Sequence, residues 1–381
     1  MKKISEKISK PLNWEIYKAE EIFKNYTNKG FPNEKILTVT QDRGTIYRED
    51  CGIDIKTSSK SIETYKLVHP GDFIISLRSF QGGLEYSNLK GIISPAYTVL
   101  KSKKLINNDY YKYLFKSNSF VNMLNKAVIG IRDGKQISYK VFKELPLFYP
   151  PLPEQQKIAS ILSTVDQHIE ETEALIEKTK ELKKGLMQKL LTKGIGHTEF
   201  KKTEVGEIPV EWEVKKLGDV IKVSSGSGLS QKNMIKGKYP VYGGNGIAGY
   251  HNEFNFIDKK IIIGRVDAKC GCVYITQAKS WITDNALYIS NQIKEFNLRF
   301  MFYLLNYIDK FANKNAQPVI SGNKIYKILI QFPSYKEQVK IATILINVDK
   351  KIAEYEYIKN NLLTLKKGLM QQLLTGKKRV I

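Results

Sequence analysis

The strongest constraint on this chain is an internal repeat. The stretch Glu154-Gln155-Gln156-Lys157-Ile158-Ala159 returns 183 residues later as Glu337-Gln338-Val339-Lys340-Ile341-Ala342. The match runs without a gap to Leu190-Leu191-Thr192 and Leu373-Leu374-Thr375, with 22 of 39 positions identical. A duplicated unit of this kind dictates the architecture more firmly than any local motif. A fainter echo precedes each copy, Pro11-Leu12-Asn13-Trp14-Glu15 and Pro209-Val210-Glu211-Trp212-Glu213. The chain therefore alternates globular segment and helix twice: 1–150, 151–195, 196–333 and 334–381.

Each repeated segment reads as one long helix. Ile158, Ile161, Val165, Thr172, Leu175, Thr179, Leu182 and Leu186 recur at spacings of three and four, with His168 completing the series. Ile341, Ile344, Val348, Tyr355, Ile358, Leu362, Leu365 and Leu369 repeat it. Such a heptad seam predicts helix–helix pairing through Ile158, Ile161, Val165, Leu175 and Leu182 on one side and Ile341, Ile344, Val348, Ile358 and Leu365 on the other. Pro150, Pro151 and Pro153 mark the first start and Pro333-Ser334 the second, while Gly194 and Gly376 mark the ends. A helix of this size is a rod of roughly 58 Å and cannot stand alone in water with an apolar stripe. Its nearest partner is its own copy. The chain is expected to fold back so that the two rods run antiparallel about an approximate two-fold axis. Charged and polar positions judged to lie off the seam, Lys183, Lys184, Gln188, Lys366, Lys367 and Gln371, also recur and suit two identical partners.

The globular segments are β-rich. The first holds Asp72–Arg78 and Gly91–Leu100, the second Lys260–Arg265 and Trp281–Ile289, short β-branched and aromatic runs between Gly-rich breaks. A helical stretch follows in each, near Asp109–Asn125 and Asn297–Lys314. The fold class is α+β: two β-rich heads separated by a pair of long antiparallel coiled-coil helices. The heads share this plan but little sequence, unlike the rods.

The net charge of +23 favours a phosphate backbone as partner. No apolar run approaches the length a membrane helix needs, and the start turns polar at once, so a cytoplasmic protein with no membrane role is expected. Cys51, Cys270 and Cys272 are too few for a disulfide framework, and neither they nor the four histidines have metal-ligand spacing, so no metal is expected. There is no P-loop, no Asn/Asp-Pro-Pro-Tyr/Phe methyltransferase motif and no evident nuclease cluster.

Base readout needs planar donors and acceptors on loops. In the first head Arg78, Ser79, Phe80, Gln81 and Gly82 follow a strand; in the second, Arg265 and Lys269 do the same. Arg132, Lys135 and Gln136, with Gln317 and Lys324, precede the rods and suit phosphate contacts. Tyr242 and Asn245 belong to a run with the G-x-G-x-x-G spacing, Gly244–Gly249, but the residues after it do not open a helix. A DNA-facing loop or a plain turn fits better than a dinucleotide site.

Long helices opening on Pro-Leu-Pro-Glu-Gln-Gln and closing on Gly-Leu-Met-Gln-Lys-Leu-Leu-Thr resemble those of the specificity subunits of type I restriction–modification enzymes. Pro-Val-Glu-Trp-Glu-Val-Lys-Lys-Leu-Gly-Asp-Val (209–220) is also similar to that family. Tyr335-Lys336 in place of Leu-Pro before the second Glu-Gln, and a looser match at 14–20, are departures. The resemblance implies two target recognition domains that read the two halves of a bipartite, asymmetric site in double-stranded DNA. It implies helices that set the spacing and dock two methyltransferase (modification) subunits, which restriction and translocase subunits join. The chain itself would have no catalytic residue and no cofactor, with S-adenosylmethionine, ATP and Mg²⁺ belonging to the partners. Independently, a rod of that length limits the gap to at most about 17 base pairs. The competing readings are a coiled-coil scaffold whose heads bind proteins, and a stand-alone DNA enzyme with a cryptic site.

Overall fold

The computed structural model describes residues 11, 13–41, 43–52, 62–77, 79–128, 137–265, 270–308 and 320–380. The chain divides into two compact units. Unit one is Met1–Glu173 with Ile358–Ile381, and unit two is Ala174–Tyr357. Among the described residues no helix is long and apolar enough to cross a membrane.

Unit one contains strands β1 (Glu15–Lys18), β2 (Phe23–Tyr26), β3 (Leu37–Thr40), β4 (Gly44–Tyr47), β5 (Lys66–Val68), β6 (Phe73–Ile75), β7 (Glu85–Tyr86), β8 (Gly91–Ile93), β9 (Thr98–Ser102) and β10 (Pro146–Tyr149). Its short helices are α1 (Ala19–Ile22), α2 (Ser79–Gly82), α3 (Asn108–Lys116), α4 (Asn118–Val128) and α5 (Tyr139–Phe142). The long helix α6 (Leu152–Lys193) begins here. Unit two carries β11 (Phe200–Thr203), β12 (Gly206–Pro209), β13 (Glu213–Lys216), β14 (Ile221–Ser225), β15 (Tyr239–Gly243), β16 (Gly246–His251), β17 (Ile261–Gly264), β18 (Val273–Ile275), β19 (Trp281–Ile282), β20 (Ala286–Gln292) and β21 (Leu329–Phe332). Its helices are α7 (Leu298–Tyr307), α8 (Gly322–Tyr326) and the start of the second long helix, α9 (Tyr335–Leu373).

The heads share a topology that their sequences conceal. A four-stranded sheet has the order β2-β9-β6-β7 in one and β14-β20-β17-β18 in the other, and a two-stranded pair, β1-β10 or β13-β21, leads into each long helix. Beyond the common part they diverge. Unit one adds the β3-β4 and β5-β8 pairs, unit two the three-stranded sheet β16-β15-β19 and the β11-β12 hairpin.

Two apolar runs break where a single strand was expected. Gly91–Leu100 splits into β8 and β9, which lie in different sheets, at Ser94-Pro95-Ala96-Tyr97; Pro95 has no N–H for a ladder. Trp281–Ile289 splits into β19 and β20 at Thr283-Asp284-Asn285, whose Thr283 amide donates to Tyr242 O (2.9 Å). The predicted helix Asp109–Asn125 is two helices. Ser117 sits at φ −69°, ψ 144°, closing α3 and capping α4 through its hydroxyl, which accepts the Phe120 amide (3.3 Å).

Head and rod share one core in each unit. In unit one Trp14, Phe23, Phe73, Tyr111 and Phe115 pack with Ile158 and Leu162 of α6 and with Leu373 and Leu374. In unit two Trp212, Phe300, Met301 and Leu304 pack with Ile341 and Leu345 of α9 and with Leu190 and Leu191. The repeated Glu-Gln dipeptide fastens that junction. Gln155 is fully buried; its Nε2 donates to Pro150 O (2.8 Å) and its Oε1 accepts the Asn107 amide (2.9 Å). Gln338, equally buried, bonds Pro333 O (2.9 Å) and the Asn297 amide (2.9 Å). Asn107 and Asn297 are the N-caps of α3 and α7, so one side chain ties the start of the head helix to the start of the rod.

Beside each glutamine the glutamate accepts a tryptophan N–H, Trp14 to Glu154 (2.8 Å) and Trp212 to Glu337 (2.9 Å). The second partner differs. Arg379, near the chain's end, forks onto Glu154 at 2.6 and 2.8 Å, whereas Glu337 takes His197 Nε2 (2.9 Å) and the Ile195 amide (3.0 Å). Gly194, at φ +66°, leaves α6 here, and a Cβ on it would fall 2.4 Å from Glu337 Oε1. Both conformation and space demand glycine.

The helix seam differs from the predicted one at alternate positions. Ile158, Leu162, Val165, Ile169, Thr172 and Ile176 are the buried face of α6, and Ile341 and Leu345 are buried in α9. Ile161 and Val348 are half-buried. Leu175 (43% exposed), Leu182 (56%), Ile344 (36%), Ile358 (38%) and Leu365 (50%) face outward. The reason is a tie between i+3 and i+4. At 161/162, 175/176 and 344/345 both neighbours are apolar; at 182/183, 358/359 and 365/366 the inward residue is lysine. Each lysine reaches an acid on the opposite helix: Lys183 to Asp349 (2.7 Å), Lys359 to Glu173 (2.7 Å) and Lys366 to Asp166 (2.5 Å). Lys183 and Lys366, read as outward positions, therefore belong to the seam. Each unit shows the same antiparallel register, and a head tyrosine completes it. Tyr113 Oη donates to Asp166 (2.8 Å) and Tyr303 Oη to Asp349 (2.6 Å). Burial and the bond to a carboxylate push both phenols well above their ordinary range, so each stays a donor.

Candidate nucleic-acid interface

In head one the strand β6 ends at Ile75 and the chain turns into the single-turn helix α2. Ser79 is buried, and its hydroxyl accepts the Ser76 amide (2.8 Å), so it builds the loop and is not displayed on it. Gln81 is exposed on α2. Arg78 lies outside the described residues, and of Phe80 only its place in α2 is described. A Cβ on Gly82 would lie 3.5 Å from Gln41 Nε2, so this loop sits against the tip of the β3–β4 hairpin. Gln41 and Arg43 are exposed there, and the Gln41 carbonyl accepts Lys116 Nζ (3.0 Å). Lys116 also pairs with the buried Glu85 (2.6 Å), locking the hairpin tip to α3. Neither Gln41 nor Arg43 stood out in the sequence, because a short polar turn between two strands has no signature of its own. Arg132, Lys135 and Gln136 fall outside the described residues.

Head two gathers its candidates at two places. Gly244-Asn245 is the tip of the β15–β16 hairpin, with Gly243 and Gly246 as the closing pair and Gly246 at φ +84°. A strand therefore follows the glycine spacing where a dinucleotide site needs a helix. Asn245 is exposed. Tyr242 is buried, and its hydroxyl accepts the Gln277 amide (3.0 Å). It anchors the hairpin beneath the tip. Alongside runs a cleft of about 620 Å³ lined by Asn245, Ile247, Lys259, Tyr274, Gln277 and Arg299 among others. The second place is the end of β17. Arg265 is half-buried, its amide donates to Asn285 O (3.0 Å) and its carbonyl accepts the Ile320 amide (3.0 Å). This bond brings the Arg265 strand end against the segment that enters α8, where Lys324 is exposed. Lys269 and Gln317 lie outside the described residues.

Lys259, Gln277 and Arg299 escaped the sequence reading. Lys259 precedes a strand, Gln277 follows one and Arg299 opens a helix, and only the fold brings them to one cleft. Among the described residues no three His, Cys, Asp or Glu side chains form a group suited to a metal ion. The Cys270 thiol donates to Arg265 O (3.1 Å).

The chain matches the family described as type I restriction modification DNA specificity domain twice, over residues 11–181 and 209–364. It is 28% identical to the type I restriction enzyme MjaVIII specificity subunit of Methanocaldococcus jannaschii, across 97% of this chain and 94% of that one. The EcoprrI specificity subunit of Escherichia coli is 33% identical over a shorter stretch, 38% of this chain and 37% of its own. Among solved structures, the S subunit of a type I system from M. genitalium superimposes with a TM-score of 0.58 at 16% identity, covering 97% of both chains. The HsdS subunit of Thermoanaerobacter tengcongensis does so with a TM-score of 0.51 at 15% identity, over 97% of this chain and 98% of that one.

Proposed function

The chain belongs to the type I restriction modification DNA specificity family, and from that premise we propose that it selects the DNA sequence for an enzyme whose catalytic sites lie in other subunits. Each head reads one half of a bipartite, asymmetric site in double-stranded DNA. The paired helices set the gap between the halves and dock two methyltransferase subunits, which restriction and translocase subunits join in the cytoplasm. S-adenosylmethionine, ATP and Mg²⁺ serve those partners.

The observation that carries this reading is the contrast between frame and heads. The junction is the same twice over: Glu-Gln, N-cap asparagine, tryptophan, and a Tyr–Asp–Lys contact. Outside that common part the heads carry different strands, the β3-β4 and β5-β8 pairs in one and the β16-β15-β19 sheet and β11-β12 hairpin in the other. Two unlike readers on one duplicated mount fit an asymmetric two-part site and do not fit a palindrome. The net charge of +23 supplies the field for the phosphates.

We assign the methyltransferase dock to the outward stripe of the long helices. Ile161 and Ile344, Leu175 and Ile358, and Leu182 and Leu365 are equivalent positions of the two copies, spaced by whole heptads along each helix, and of the six only Ile161 is half-buried. Duplicated apolar side chains left facing solvent suit two copies of one partner. In a head exchange, residues 11–150 are replaced by the matching segment of another member and the complex is assembled with its methyltransferase subunits. The selected DNA should then change in one half of the site and keep the other half and the gap. A change in both halves, or in neither, contradicts the reading.

A further inference from the structure

Resting on the DNA reading above, we infer that the cleft beside the β15–β16 tip is where head two reads the major-groove edge of an A·T base pair. The cleft combines the three chemistries that task requires. Its planar amides are Asn245 and Gln277, both exposed, and an amide side chain is the group that pairs bidentately with adenine N6 and N7. Its apolar contact is Ile247, 45% exposed and two residues from Asn245, placed to meet the thymine C5-methyl of the same pair. Its cations are Lys259 and Arg299, both exposed, the groups that suit the phosphates beside the pair.

The reading group is held before DNA arrives. Asn245 rides on a two-residue turn closed by the Gly243–Gly246 pair. Beneath it the Tyr242 hydroxyl accepts the Gln277 amide (3.0 Å), so the two amide-bearing segments are tied to one ring. The Tyr242 carbonyl accepts the Thr283 amide (2.9 Å), which fixes the hairpin to the β19–β20 corner. The strand β16 is an edge strand of its sheet, and it leaves Ile247 and Tyr250 (53% exposed) on the surface. Guanine offers N7 and O6, two acceptors, and asks for a paired donor such as arginine. With Asn245 and Gln277 as its amides and Lys259 and Arg299 as its cations, the cleft offers adenine its pairing group and the backbone its charges.

The test uses the full chain assembled with its methyltransferase subunits and duplexes in which each base pair of the selected site is varied in turn. Asn245→Ala and Gln277→Ala should each lower discrimination by about tenfold at one A·T position of the second half, and leave the first half untouched. Replacing that adenine by 7-deazaadenine should weaken wild type and hardly affect Asn245→Ala. Uracil in place of its thymine should cost wild type severalfold and leave Ile247→Ala indifferent. Lys259→Ala and Arg299→Ala should weaken all sequences alike and each reduce the salt slope by about one. All five side chains are exposed or half-exposed, so none of these variants removes a core contact. If both amide variants keep every base preference while wild type discriminates, the cleft is not the reader and the DNA reading stands. If wild type itself prefers no sequence, both fall together.

Discussion

Replacing Gln155 by leucine isolates the fastening of a head to its rod. The side chain is fully buried and makes two bonds, to Pro150 O and from the Asn107 amide. Leucine has similar bulk but strands both backbone groups, at about 1–3 kcal/mol each. Extra apolar burial returns about 1 kcal/mol, so the net loss is about 1–5 kcal/mol, with a central value of about 3 kcal/mol. For a compact unit of this size each kcal/mol moves the midpoint by about 2–4 °C, so at that central value the unit-one transition should fall by roughly 6–12 °C. The neighbouring Gln156 is exposed, and its counterpart in the second copy is already Val339, so Gln156→Leu should shift the same transition by less than about 2 °C. Scanning calorimetry on the three proteins reads both numbers. If Gln155→Leu and Gln156→Leu melt together, the buried glutamine is not what fastens the head, and the same role assigned to Gln338 falls with it.

Three further outcomes follow from the same contacts. Leu162→Ala should destabilise unit one by about 2–5 kcal/mol, and Leu175→Ala should destabilise unit two by well under 1 kcal/mol, measured by denaturant unfolding; the reverse order would restore the seam first read from the sequence. Burial alone would raise the Glu154 carboxyl, but its bonds from Arg379 and Trp14 hold it below the usual carboxylate range. Its contribution is therefore complete above the unfolded value, about pH 4.3, and is lost as pH falls through the lowered folded value. Glu154→Gln should flatten that acid limb in a series of melts, and a limb identical to wild type would refute the assignment. Affinity for specific duplexes should fall linearly in log–log plots against salt, with a slope set by the phosphate contacts; a flat plot would favour a protein-binding scaffold.

The repeat, the two long helices and the β-rich heads were legible because each rests on a pattern many residues long. What stayed hidden was decided by single contacts between distant residues. At 182/183 and 365/366 hydropathy favours leucine for the seam, yet lysine turns inward because Asp349 and Asp166 wait on the other helix. Ser79 reads as a polar loop residue, but the Ser76 amide draws its hydroxyl inside. The Glu154 and Glu337 repeat was visible, whereas its purpose was not: the tryptophans that they hold lie more than a hundred residues away. In head two, Asn245 was legible from its glycine-rich turn, while Gln277 and Arg299 join it only through the sheet and helix that carry them.

Methylome sequencing of cells that hold the methyltransferase subunits, with and without this chain, bears most directly on the claim that it is a two-headed reader. The account predicts methylated sites that appear only with the chain and share two unlike half-sequences at one constant gap. A palindrome, a contiguous motif, or the same sites in its absence would contradict it.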